Sequence, residues 1–291
     1  MGFWSDLKLA FKESKYLPLL AVPSPDDKFI IYPEYSIKDL EESKAPTLWQ
    51  IIRAHWKGCD DCPELWTDVI SHNSVNPAAI DDEIEYVFIN GIQTNRDMLH
   101  LNGLALSFVF GRPITVMHNP TYGIVMDLAE SIFGRTFDAN NDITLRMANH
   151  IVGKIQQGKT IRLIGHSQGA IIAGNVVRML SEAFDDTKFA NKVELYTFAG
   201  ALDELDRDDG TIAEHFANEF DFVARIGVMA LDRDIYGETY VRPDATGHML
   251  NMNYLDAFVQ GKYCGGQSRL HGFIEGRASR AIMYKNKQRL N

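Results

Sequence analysis

Apolar and polar positions fall into a helical rhythm at the N-terminus, where Phe3, Trp4, Leu7, Ala10 and Phe11 share one face at 3.6-residue spacing. Asp6, Lys8, Lys12 and Glu13 lie elsewhere, so the pattern predicts a short helix docked through its apolar face. An interfacial membrane helix would carry a more basic polar face. Pro18, Pro23 and Pro25 then break the chain into an extended arm leading to an early strand over residues 29–32. From residue 84 the rhythm alternates between strand and helix. Strands are expected at 85–90, 114–117, 160–164 and 192–198, with a fifth ending near Phe220. Helices are expected at about 95–108, 143–156 and 168–183, and again from near Asn253. This alternation predicts an α/β fold, a mostly parallel sheet with helices on both faces. No internal repeat and no Gly/Ser linker interrupts it. Residues 1–80 read as an N-terminal arm and helix packed on the core and 81–291 as the main unit, together one structural domain.

Composition narrows the function classes. Of 291 residues, 45% are apolar and 23% charged, enough for a full core. Twenty-nine Lys and Arg against 39 Asp and Glu leave a formal charge of −10, which argues against nucleic acid as a partner. No apolar run approaches the length that spans a bilayer. Three cysteines cannot build a disulfide framework. Charge at Asp6 and Lys8 precedes any apolar core, unlike a signal peptide, and Asp6 stands where a myristoylation signal needs Ser or Thr. The expectation is a cytoplasmic protein, or one exported by a signal-independent route. Peripheral membrane contact is not indicated.

The candidate chemistry centres on Gly165-His166-Ser167-Gln168-Gly169, a G-x-S-x-G pentapeptide. A β-branched strand runs into it and an amphipathic helix runs out, the strand–turn–helix context of a nucleophile elbow. A serine hydroxyl needs a base to take its proton, and the base needs an acid to fix its tautomer. In this architecture the order is Ser, acid, His. Asp221 follows an apolar-flanked strand 54 residues after Ser167; Asp203 and Asp206 are rivals, although they sit in a run of acids that reads as a solvated loop. Only His248 and His271 come after Asp221, and His248 lies in a loop just before a helix. Two backbone N–H donors should stabilise the oxyanion of acyl transfer. The amide of Gln168 is one; the other comes from the loop after residue 90, where Ile92 is the first choice and Gly91 the second.

With these residues in order the chain resembles the α/β-hydrolases, and within them lipases of the class 3 type. The resemblance rests on Gly165 to Gly169, on Tyr196-Thr197-Phe198 and on Asn218-Glu219-Phe220-Asp221-Phe222-Val223, and spans about residues 84–260. It implies Asp221 as the acid, over Asp203. The chain departs from those lipases at Gln168, where they carry Leu, and at Ala199-Gly200-Ala201, where they carry Gly-Ala-Pro. Ser-Gln-Gly also occurs in cutinase-like esterases. The implied activity is a serine hydrolase cleaving small-molecule or lipid carboxylic esters through Ser167, His248 and Asp221, without a cofactor. A thioesterase or amidase would use the same groups, and a scaffold protein that has lost turnover is the rival from another class.

Three further features enter the reading. His55, Cys59, Cys62 and His72 approach the spacing of a zinc module but lack a second C-x-x-C, so a free thiol pair near a surface loop and no metal site is expected. Arg277, Arg280, Lys285, Lys287 and Arg289 form a basic C-terminal stretch, read as a solvated tail. Residues 119–141 should lie at the rim above Ser167, with Tyr122, Met126 and Phe133 facing the substrate, as scaffold or as a lid helix.

Overall fold

A strand that is apolar on both faces is stable only in a sheet covered on both sides. That is the environment found for the central strands in the computed structural model, which describes residues 3–20, 22–27, 67–77, 80–91, 96–119, 142–184, 191–202, 204–205, 211–231, 233–263 and 267–274. The elements in chain order are α1 (Phe3–Glu13), β1 (Thr67–Ile70), β2 (Ile84–Ile89), α2 (Arg96–Phe110), β3 (Ile114–Met117) and α3 (Asp142–Gln156). There follow β4 (Thr160–His166), α4 (Gln168–Ala183), β5 (Val193–Phe198), β6 (Ala213–Asn218), α5 (Phe222–Ile226) and β7 (Glu238–Arg242). A π-helical turn, Leu250–Leu255, runs into α6 (Asp256–Val259), and α7 (Arg269–Gly272) closes the described chain.

Seven strands form one sheet in the order β1-β3-β2-β4-β5-β6-β7. All pairs are parallel except β1 with β3. Alternate residues feed two cores. Tyr86, Phe88, Ile164, Tyr196, Phe198 and Phe216 pack under α2, the π-helical turn and α6. Val87, Ile89, Ile161, Leu163 and Leu195 pack under α3 and α4. Successive strands run outward from β2 in one direction to β3 and, through β4, in the other. The carboxyl ends of β2 and β4 therefore flank the point where strand order reverses, the crevice in which open α/β sheets bind ligands.

The expected mostly parallel sheet and its strand and helix alternation are both present. Boundaries differ in detail. Strand β4 runs on to His166 because Gly165 and His166 pair with Thr197 and Phe198 of β5. The fifth strand ends at Asn218, and the helix expected from Asn253 begins at Leu250. The edge strand β1 lies in a segment where the pattern announced no strand. Helix α1 is present: Ala10 of the expected face packs with Leu9 against α5, joined by Tyr16 and Leu17 just beyond the helix, whereas Phe11 is 83% exposed. Glu13 occupies the buried face instead, because it is paired with Arg225. The early strand over 29–32 lies outside the described residues.

The end of the sheet away from the crevice buries charge. The Glu85 carboxylate accepts hydrogen bonds from His150 at 2.8 Å and Thr115 at 3.0 Å and pairs with Lys154 at 3.0 Å. Burial pushes this carboxyl up, but the bonds from His150, Lys154 and Thr115 outweigh it and lower the pKa to about 2. A depressed carboxylate stabilises the fold above its unfolded pKa and loses that contribution as pH falls through the folded value. For Glu85 the window is from about 4.5 down to about 2, with a ceiling on the order of 3 kcal/mol. Glu85→Gln should therefore lower Tm at pH 7, and the difference from wild type should shrink as pH is brought toward 2.5. A pH-independent difference in thermal unfolding would contradict this assignment.

Candidate active site

Between the last residue of β4 and the first of α4 a single residue, Ser167, reverses the chain. Its backbone sits at φ 57° and ψ −124°, a region that costs a non-glycine residue about 1–3 kcal/mol. The strain is offset by a dense set of contacts. The Ser167 N–H donates to the Phe198 carbonyl at 3.0 Å, and the Ser167 carbonyl accepts from Ala170 and Ala201, each at 3.1 Å. Close approach on three sides explains the surrounding glycines. A Cβ at Gly169 would lie 2.4 Å from the Ile89 carbonyl oxygen, and one at Gly165 would lie 2.7 Å from Ala170 Cα. A Cβ at Gly91, after β2, would lie 2.5 Å from Ser167 Cβ and 3.0 Å from its Oγ.

The Ser167 hydroxyl donates to His248 Nε2 at 2.9 Å, and His248 Nδ1 donates to Asp221 Oδ2 at 2.8 Å. A carboxylate can only accept, so the proton of the neutral imidazole sits on Nδ1 and leaves Nε2 free to accept from the serine. Asp221 follows β6 and is fully buried. Its Oδ1 accepts from the Val223 N–H at 2.9 Å, which caps α5. Its Oδ2 accepts a second bond, from the Tyr254 hydroxyl at 2.6 Å, and Tyr254 in turn accepts from the Asn218 N–H at 2.9 Å. The Asn218 side chain links acid and base segments: its Nδ2 donates to the carbonyls of Thr246 at 3.1 Å and Gly247 at 3.0 Å, while its Oδ1 accepts from Tyr263 at 2.7 Å. Gly247 has φ +87°, and a Cβ there would overlap Asn253, so the turn before His248 requires glycine.

His166, the other imidazole of the pentapeptide, sits with its ring 4.9 Å from that of His248. Burial, with repulsion from His248 second, pushes its pKa down to about 3. It is therefore neutral at pH 7, and its Nε2–H donates to the His248 carbonyl at 2.8 Å. On the opposite side of Ser167, three amide side chains join the ends of β2, β3 and β4. Asn119 Nδ2 donates to Gln168 Oε1 at 2.8 Å, the Asn119 N–H donates to Asn90 Oδ1 at 2.8 Å, and Asn90 Nδ2 donates to the Gly91 carbonyl at 2.6 Å. The side chain of Gln168 thus ties the elbow to the loop that begins at Gly91.

Of the residues singled out from the sequence, Ser167, Asp221, His248, Gln168 and Gly91 lie together. Ile92, Tyr122, Met126, Phe133, Asp203, Asp206, His55, Cys59, Cys62 and the basic stretch from Arg277 lie outside the described residues. His271 is remote from the relay, its ring edge-on to Phe258 at 5.3 Å. His72 hydrogen-bonds Ser74. Among the described residues no group of three or more His, Cys, Asp or Glu side chains could hold a metal ion. Sequence reasoning missed Tyr254, Asn90 and Asn119. Asn218 stood in the segment that carries the resemblance, but nothing in the pattern marked its bonds to the histidine loop.

A family described as "Putative serine esterase (DUF676)" matches residues 85–200. No curated protein sequence matches the chain. Among solved structures, similarity extends to a bacterial heroin esterase (12% identity, 77% of this chain and 81% of that one, TM-score 0.43). It extends also to a dienelactone hydrolase from Anabaena variabilis (12% identity, 68% and 90%, TM-score 0.36). A third is an esterase from Thermogutta terrifontis (13% identity, 74% and 94%, TM-score 0.35).

The glycine geometry gives a paired test. At Gly153, inside α3, a Cβ would meet nothing within 4 Å, and Gly153→Ala should raise stability by about 0.5–1 kcal/mol. Gly91→Ala drives a methyl into Ser167 and should cost about 1–3 kcal/mol. Equal effects of the two substitutions in urea unfolding would contradict the close approach of Gly91 to Ser167.

Proposed function

We propose that the chain is a serine carboxylic ester hydrolase of the α/β-hydrolase type and that Ser167, His248 and Asp221 carry its reaction. Ser167 Oγ attacks the ester carbonyl carbon while His248 Nε2 takes the hydroxyl proton. Asp221 stabilises the imidazolium that forms and holds its tautomer. The oxyanion faces the N-terminal end of α4, where the amide of Gln168 and that of Ile92 donate to it. Collapse breaks the bond to the alcohol oxygen, which leaves with the proton from His248, and an acyl-serine remains. Water then attacks the acyl carbon, again giving its proton to His248, and the carboxylic acid departs as Ser167 is re-protonated.

The observation that carries this reading is the unbroken hydrogen-bond path from a serine at φ 57° through His248 to a fully buried carboxylate. It begins at the crevice where strand order reverses. Ser167→Ala should abolish hydrolysis of p-nitrophenyl butanoate, a loss of about 10⁶ in kcat, with Tm nearly unchanged. Asp221→Asn should cost on the order of 10⁴ by leaving the wrong imidazole tautomer. Full labelling of the Ser167→Ala variant by a fluorophosphonate probe would contradict the assignment.

We propose a small-molecule or lipid ester as the substrate, with residues 119–141, among them Tyr122, Met126 and Phe133, as the candidate segment for its acyl chain. Each buried methylene contributes about 0.8 kcal/mol, so chain length reports on this wall. Phe133→Ala should raise KM more for dodecanoate than for butanoate esters. Equal changes for the two would remove Phe133 from the acyl site.

A further inference from the structure

The loop that carries His248 is held from two opposite sides. Its carbonyls bond chiefly to the body of the protein: those of Thr246 and Gly247 accept from Asn218, and that of His248 accepts from His166, while the Thr246 carbonyl also accepts from Ser24 Oγ of the arm at 3.3 Å. Its three consecutive N–H groups all face the N-terminal arm. Thr246 donates to Ser24 Oγ at 2.9 Å, Gly247 to the Leu19 carbonyl at 3.1 Å and His248 to the Leu20 carbonyl at 2.8 Å. The Thr246 hydroxyl adds a bond to the Val22 carbonyl at 2.9 Å.

The arm is itself anchored. Ser24 N–H donates to Asp27 at 2.8 Å, and the buried Asp27 carboxylate pairs with Arg242 at 2.7 Å, at the end of β7. Asp26 pairs with Arg242 and Lys262. Upstream, Tyr16 stacks on Phe220 at 5.5 Å and Glu13 pairs with Arg225, so the same segment also clasps both flanks of Asp221. Backbone N–H groups buried without a partner are costly, and a catalytic group displaced by about 1 Å can lose 10² in rate.

From this arrangement we propose that residues 19–20 and 22–27 act as a strap that sets the position of His248, making Ser24 and Thr246 positioning residues of the esterase reaction. The proposal rests on the triad reading above. Neither side chain touches Ser167 or the reacting carbonyl; each acts by fixing the backbone from which the imidazole projects.

Thr246→Val removes the hydroxyl bond to Val22, Thr246→Ser keeps it, and Ser24→Ala removes the acceptor of the Thr246 N–H. With concentrations normalised to fluorophosphonate-titrated sites, Thr246→Val and Ser24→Ala should each lower kcat about tenfold or more, with KM within twofold of wild type. Thr246→Ser should restore kcat, and the double variant should lose no more than the worse single one, as expected for one shared route. A second readout needs no turnover: the low-field NMR resonance of the His248 Nδ1 proton should broaden or shift upfield in Thr246→Val and Ser24→Ala and return in Thr246→Ser. Wild-type kcat per titrated site with an unmoved resonance in folded Thr246→Val and Ser24→Ala would overturn the strap. So would equal loss in Thr246→Ser and Thr246→Val. A wild-type protein that shows the resonance and its response to the strap variants, yet neither hydrolyses esters nor labels, would leave the strap standing and overturn the esterase triad.

Discussion

One steric constraint organises the site: a non-glycine residue at φ 57° must turn the chain from β4 into α4 within a single residue. That turn exists only because three neighbours have no side chain in the way. Gly165 and Gly169 let the turn close against Ala170 and the end of β2, and Gly91 lets the neighbouring loop pass Ser167 at contact distance. The arrangement brings two strand ends to one point, so the hydroxyl, the N-terminal end of a helix and the backbone after β2 share a single small space. Strain at Ser167 is sustained by backbone bonds to Phe198, Ala170 and Ala201.

Around that turn, polar groups are buried in connected sets. Asp221 accepts from a backbone N–H, an imidazole and a phenol, which satisfies a carboxyl group that has no access to solvent. Asn218 ties the acid segment to the histidine loop, His166 bonds the same loop from the elbow, and the Asn90, Asn119 and Gln168 amides join three strand ends on the other flank. Such a network is rigid when complete and costly when any member is lost, because the low dielectric strengthens made bonds and penalises orphans alike.

The sequence exposes local features and hides those made through the backbone. Ser167 was legible because the strand, the glycines and the helix are adjacent in the chain. Asp221 was preferred to Asp203 because an apolar-flanked strand precedes it and a run of acids surrounds Asp203, with the resemblance in support, but its burial at the end of β6 is a property of the sheet that the surrounding residues do not show. Phe11 was misplaced on the docked face because a hydrophobic count scores Glu13 as solvent-facing and cannot see its partner Arg225, 212 residues away. Strand β1 escaped notice as a short, exposed edge strand with little apolar alternation. The bonds from Gly247 and His248 to Leu19 and Leu20 have no side-chain signature at all. Tyr254 looked like any aromatic of the core until its hydroxyl was found on Asp221.

The central claim is that an ester's acyl group passes through a covalent bond to Ser167. Rapid mixing with p-nitrophenyl acetate, acid quench within the first turnover and peptide mass mapping would test it most directly. One acetyl group per chain, confined to the peptide holding Gly165-His166-Ser167-Gln168-Gly169 and paralleled by a stoichiometric burst of p-nitrophenol, is the expected result. Ester hydrolysis with the acetyl group on another residue, or with none on the chain and no burst at any mixing time, would contradict it.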